Sequence, residues 1–118
     1  MAEDRIRQSL LLDFYGELLT ERQRSCYELH VNDDLSLTEI AEQCGISRQG
    51  VWDNIRRAES AMREIEEKTG LIRRFEDNRR GLESLRKTLR RIEALSTGEA
   101  GDLAAQAGAE IETLIVRG

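Results

Sequence analysis

Apolar residues recur along this chain in steps of three and four, the spacing of helices packed on one side. Ile6, Leu10, Leu11 and Phe14 predict a first helix over residues 4–16. Thr20 and Gln23 have capping-box spacing and open a second helix over 21–30. That helix buries Cys26, Tyr27 or Leu29. The polar run Asn32-Asp33-Asp34 breaks the pattern. A third helix is expected over 37–43.

Residues 36–57 carry the most information. Ser36 and Glu39 form a second capping box, and Leu35 and Ile40 can close a hydrophobic staple across it. Ala41 is small where another helix must cross closely. Gly45 supplies the positive φ of a tight turn. Ser47 then caps a fourth helix, with Ile46 and Val51 as its staple. This is the pattern of a helix-turn-helix. Val51 and Ile55 face inward. Arg48, Gln49, Trp52, Asp53 and Arg56 are left facing out. Arg and Gln near a helix start can pair with base edges in a major groove, and Arg56 and Arg57 can reach phosphates.

The fourth helix continues past this turn. Val51, Ile55, Ala58, Met62 and Ile65 make a narrow seam that stops at Thr69-Gly70, with Lys68 favourable at the C-terminal dipole. A second seam follows at Leu71, Phe75, Asn78, Leu82, Leu85, Leu89 and Ile92. Asn78 is polar within it, a device that sets register at some cost in stability. Gly81 interrupts the helix and suggests close approach of another backbone. Two such seams can pack as an antiparallel hairpin or across a two-fold axis. The small core of one hairpin favours a homodimer. Residues 96–101 read as a flexible linker. Asp102 can cap a last, weak helix with Leu103, Ala107, Ile111, Leu114 and Ile115 on its apolar side, loosely docked. The expected organisation is a helix-turn-helix domain over 1–70, a basic helical arm over 71–95 and a linker with an Ala-rich tail over 96–118. The fold class is all-α, with a wing-free helix-turn-helix core and a long C-terminal arm.

Composition narrows the function. The chain has 118 residues, no Pro and 35% charged residues, which suits long helices with solvated faces. Net charge is −5, against the basic footprint usual in a dedicated DNA binder. The basic residues concentrate over 70–92, where 8 basic residues meet 3 acidic ones. They are Arg73, Arg74, Arg79, Arg80, Arg86, Lys87, Arg90 and Arg91, a stripe suited to phosphates or an acidic partner. The bland reading of such a stripe is a solvated helix face. No segment has the roughly 18 apolar residues of a membrane span, and the N-terminus lacks a secretion signal. A cytoplasmic location is expected, with Cys26 and Cys44 reduced. The inventory supplies neither catalytic residues nor a metal site or cofactor. The one His, His30, has no zinc-spaced companions. Glu39, Glu42 and Glu59 are spaced as solvated carboxylates, and no Gly-rich phosphate loop exists.

Three blocks carry a family resemblance: Leu18-Leu19-Thr20-Glu21-Arg22-Gln23, residues 34–42, and residues 47–59 with Ser47-Arg48-Gln49-Gly50-Val51-Trp52-Asp53 at their start. Together they resemble the YlxM family, small bacterial helix-turn-helix proteins related to sigma factor region four. The resemblance covers residues 5–75. It implies an all-helical fold, a dimer, and a regulatory or accessory role near the signal recognition particle. It places Arg48, Gln49, Trp52 and Asp53 on the outer face of the recognition helix. Gly50 departs from the family's usual Ala, and Trp52 from its usual Tyr.

Three functions are therefore open. One is a DNA-binding regulator. The second is an accessory factor that binds the particle's GTPase or its RNA through the basic arm. The third is a helical dimerisation module with a relict helix-turn-helix.

Overall fold

The computed structural model describes residues 2–117, with side chains characterised for residues 4–117. Met1 and Gly118, the outer ends of the first and last expected segments, lie outside the described residues. Six α-helices follow in order: α1 (Ala2–Tyr15), α2 (Glu21–Val31), α3 (Leu37–Cys44), α4 (Arg48–Thr69), α5 (Leu71–Leu95) and α6 (Glu99–Arg117). A short 3-10 turn, Gly16–Leu18, joins α1 to α2. The chain divides into two units, Met1–Ile72 and Arg73–Gly118.

In the first unit α4 is the organising element, with α1, α2 and α3 packed against it. Both predicted capping boxes form. Thr20 Oγ1 accepts from Gln23 N at 3.2 Å, and Ser36 Oγ accepts from Glu39 N at 3.2 Å. Each returns a side-chain bond to the cap's own N–H, so two orphan donors are satisfied at each helix start. The core is Leu11, Tyr27, Cys26, Ile40, Val51, Met62 and Ile72, all fully buried.

The buried face of α1 differs from the expectation. Ile6 is 61% exposed and Phe14 38% exposed, whereas Leu11, Leu12 and Tyr15 are buried. The inward stripe runs Gln8, Leu11, Leu12, Tyr15. Its two polar members hide it from a reading of apolar spacing. Both are satisfied by carboxylates of α4: Gln8 Nε2 donates to Glu59 at 2.9 Å, and the Tyr15 hydroxyl donates to Glu66 at 2.7 Å. Glu59 is therefore not a solvated carboxylate; it also accepts from the Tyr27 hydroxyl at 3.0 Å. Glu66 is buried and accepts from Ile72 N at 2.9 Å, so it caps the start of α5 from within the core.

The seam on α4 is interior to this unit. Val51, Ile55, Ala58 and Met62 are buried, and Ile65 packs against them. It serves the four-helix core.

The second unit is an antiparallel hairpin of α5 and α6. Arg86 on α5 pairs with Glu112 on α6 at 3.1 Å. Phe75, Asn78 and Leu82 line a groove with Leu114 and Ile115. The flexible linker expected over 96–101 is a turn of Ser96, Thr97 and Gly98, and α6 starts at Glu99. Gly98 has φ 69, which reverses the chain. A Cβ on Gly101 would come within 3.2 Å of the Ser96 carbonyl oxygen, so glycine there lets the turn pack closely. The tail helix thus folds back along the arm over 19 residues. Of the second seam, Phe75, Leu82 and Leu89 are half-buried, while Asn78, Leu85 and Ile92 stay exposed. Leu71, in the first unit, is 44% exposed. A Cβ on Gly81 would meet nothing within 4 Å, so among the described residues no other backbone approaches it that closely.

Candidate nucleic-acid interface

The turn between α3 and α4 is built from backbone bonds. Gly45 lies at φ 68 and ψ 33, a left-handed conformation that a side chain would strain. Its N–H and that of Ile46 both donate to the Ala41 carbonyl, at 2.9 and 3.2 Å. Arg22 of α2 donates from Nη1 to the Cys44 carbonyl at 3.0 Å, closing another orphan acceptor of α3. Ser47 Oγ then accepts from Gly50 N at 3.0 Å and starts α4.

This places Val51 and Ile55 inside and leaves Arg48, Gln49, Arg56 and Arg57 exposed. Trp52 is 46% exposed, with its ring available at the surface. Asp53 is half-buried at the centre of the face. It accepts from Gln49 Nε2 at 3.2 Å and pairs with Arg56 Nη2 at 3.7 Å. The outer face is therefore partly organised by its own carboxylate. These i,i+4 and i,i+3 spacings were present in the sequence. Asn54 turns inward along the helix, donating to the Gly50 carbonyl at 2.8 Å. A Cβ on Gly50 would sit 3.2 Å from Ser47 Oγ, so the glycine gives the capping hydroxyl room.

The basic stripe belongs to α5, in the second unit. Arg73, Arg74, Arg79, Arg80, Lys87, Arg90 and Arg91 are exposed, and Arg80 pairs with Asp77. Arg86 departs from the expected set. Its side chain is only 22% exposed and it bonds Glu83 at 2.6 Å as well as Glu112. It joins the two helices of the hairpin instead of presenting charge to a partner.

A short helix joined by a left-handed glycine to a second helix that projects polar side chains from its first turns defines a helix-turn-helix protein. Residues 2–98 match the model of the family described as "Putative helix-turn-helix protein, YlxM / p13 like", and the chain belongs to that family. A UPF0122 protein of Geobacillus kaustophilus is 47% identical over 91 residues, covering 77% of this chain and 83% of that protein. A UPF0122 protein of Acetivibrio thermocellus is 52% identical over 79 residues, 66% of this chain and 68% of its own length. One from Thermoanaerobacter sp. is 45% identical over 87 residues, 74% of each chain. All of α6 lies beyond the family match. Among the described residues no helix is long and apolar enough to cross a membrane.

Proposed function

We propose that the protein is a regulatory DNA-binding protein that reads duplex sequence with the first two turns of α4. The observation that carries this is the outward projection of Arg48 and Gln49 directly after the Gly45 turn and the Ser47 cap. Arg48 is suited to the O6 and N7 acceptors of guanine and Gln49 to adenine. Trp52 offers apolar surface to a thymine methyl, and Asp53 disfavours nearby phosphate while accepting from cytosine N4. Arg56 and Arg57 supply phosphate contacts. The acidic charge of the first unit keeps sequence-independent binding weak, so discrimination rests on base contacts.

The test is duplex selection from a random pool, followed by titration of the selected site. Arg48→Ala is expected to cost about 1–3 kcal/mol on that site and to relax preference at one position. Selection that returns no enriched sequence would remove the reading.

A second reading is supported by α5. Arg73, Arg80, Lys87 and Arg91 share one side of that helix at steps of seven, seven and four. A stripe of this kind suits the RNA of the signal recognition particle or an acidic surface of its GTPase. Reversing Arg80, Lys87 and Arg91 is expected to abolish capture of the particle; undiminished capture would discard the arm. Self-association as a homodimer fits the same hairpin, because Leu85, Ile92, Leu103 and Leu114 leave an apolar flank in solvent. Sedimentation at micromolar concentration decides it, and a monomer would end the dimer proposal.

A further inference from the structure

Four large apolar side chains of the α5–α6 hairpin stand in solvent. Leu85 is 55% and Ile92 43% exposed on α5; Leu103 is 57% and Leu114 53% exposed on α6. The helical period puts all four on one flank. On α5 the side facing α6 is marked by Leu82, Arg86 and Leu89. Leu85 and Ile92 stand about a quarter turn anticlockwise of it, seen from the helix start. On α6 the side facing α5 is marked by Gly101, Ala104 and Ile111. Leu103 and Leu114 stand about a quarter turn anticlockwise of that, again seen from the helix start. The two helices run antiparallel, so the same sense from opposite starts leads to the same flank.

The spacing along this flank is symmetric. The midpoint of Leu85 and Ile92 lies between residues 88 and 89, and that of Leu103 and Leu114 between 108 and 109. Arg86 pairs with Glu112, so counting forward on α5 and back on α6 brings residues 88–89 level with 109–110. The two midpoints therefore share one height along the hairpin, to within one residue's rise of about 1.5 Å. A single axis perpendicular to both helices passes through both.

We propose that this flank takes a second copy of the chain, stacked antiparallel about that axis, with the turn of each hairpin over the open end of the other. The proposal rests on the homodimer reading above and gives it a geometry. Leu85 packs on Ile92 of the second copy, and Leu103 on Leu114 of the second copy, each contact made twice by symmetry. Two open helix pairs become one four-helix bundle, and the flank becomes its core. Charge selects this arrangement. Stacking with both turns at one end also joins the apolar residues, but it gathers Arg74 and Arg117 of both copies at the open ends. The antiparallel stack instead brings Glu99, the first residue of α6, opposite Arg117, the last residue of that helix in the second copy.

The experiment uses the full chain with cysteine pairs at these exposed positions. Leu103→Cys/Leu114→Cys and Leu85→Cys/Ile92→Cys are oxidised mildly at micromolar concentration, and the linked peptides are mapped to separate them from Cys26 and Cys44. Within one copy, positions 103 and 114 are about 16 Å apart along α6, and 85 and 92 about 10 Å apart along α5, too far for a disulfide. The expected product is a covalent dimer linked 103 to 114 and 85 to 92, reversed by dithiothreitol and lost when either member of a pair is restored. A mixture of Leu85→Cys copies with Leu114→Cys copies should not cross-link. Linking in that mixture, with the paired variants unlinked, would overturn the antiparallel stack and leave self-association standing. Sedimentation of the unmodified chain as a monomer would remove the homodimer reading and the stack together.

Discussion

The two units bury their apolar residues in different ways. In the first, Leu11, Tyr27, Ile40, Val51, Met62 and Ile72 are fully enclosed by four helices. In the second, among the described residues, only Gly101 and Ala104 are buried, and Leu85, Leu103 and Leu114 are each more than half exposed. Charge differs as well. Residues 1–72 hold 15 acidic and 9 basic groups, whereas residues 73–118 hold 8 and 9. A helix pair has one internal seam, and its outer flanks stay in water unless something else covers them. Four helices around α4 close on themselves. The first unit is thus a self-contained core that presents a polar face. The second is a helix pair with basic and apolar flanks.

The sharpest test of that contrast is truncation on either side. Met62→Ala should cost about 2–5 kcal/mol in chemical denaturation, because it opens a cavity in a closed core. Leu103→Ala should cost under about 1 kcal/mol, since that side chain is 57% exposed. Equal losses at the two sites would erase the distinction.

Next in size is Glu66, on which Tyr15 and the first turn of α5 converge. Glu66→Ala should cost about 1–3 kcal/mol by stranding the Ile72 N–H and leaving the Tyr15 hydroxyl with Thr69 alone of its two partners. Glu66→Gln keeps an acceptor and should recover much of the loss. Thermal and urea unfolding distinguish the two variants.

A smaller effect, about 1 kcal/mol, is expected for Tyr27→Phe, which removes the bond to Glu59. Its signature is in pH. Burial, and then the Glu59 charge and hydrogen bond, raise the Tyr27 pKa above the ordinary 10.0. Below pH 10 the hydroxyl is neutral in both states and its stabilisation is fully present. As pH rises further, the unfolded chain releases a proton that the folded chain keeps, so stability falls. Wild type should therefore lose stability above that pH more steeply than Tyr27→Phe. Parallel profiles would place the alkaline loss elsewhere, at Tyr15 or Cys26, whose pKa values are also raised.

The smallest change is Gly81→Ala. The position is exposed, helical and surrounded by open space, so the substitution should stabilise α5 by up to about 1 kcal/mol. Weakened self-association in the same variant would show that a second copy's backbone passes there.

Local signals were legible to the residue. Thr20 with Gln23 and Ser36 with Glu39 cap where their spacing says they must, and Gly45 turns the chain, because each involves neighbours within one helical turn. The outward exposure of Arg48 and Gln49 followed from the inward pair Val51 and Ile55. The face of α1 was not legible, since Gln8 and Tyr15 are admitted to the interior only by Glu59 and Glu66, some 51 residues away. Arg86 likewise looked like its neighbours in the stripe until Glu112 on another helix claimed it.

By itself the sequence determined the helices, their caps and the turn that exposes the start of α4, since backbone preference and side-chain spacing act over a few residues. Only the tertiary structure decided which polar groups lie inside and that α6 returns along α5. Burial of a polar group costs free energy unless a partner satisfies it, and chain folding, not local pattern, brings that partner.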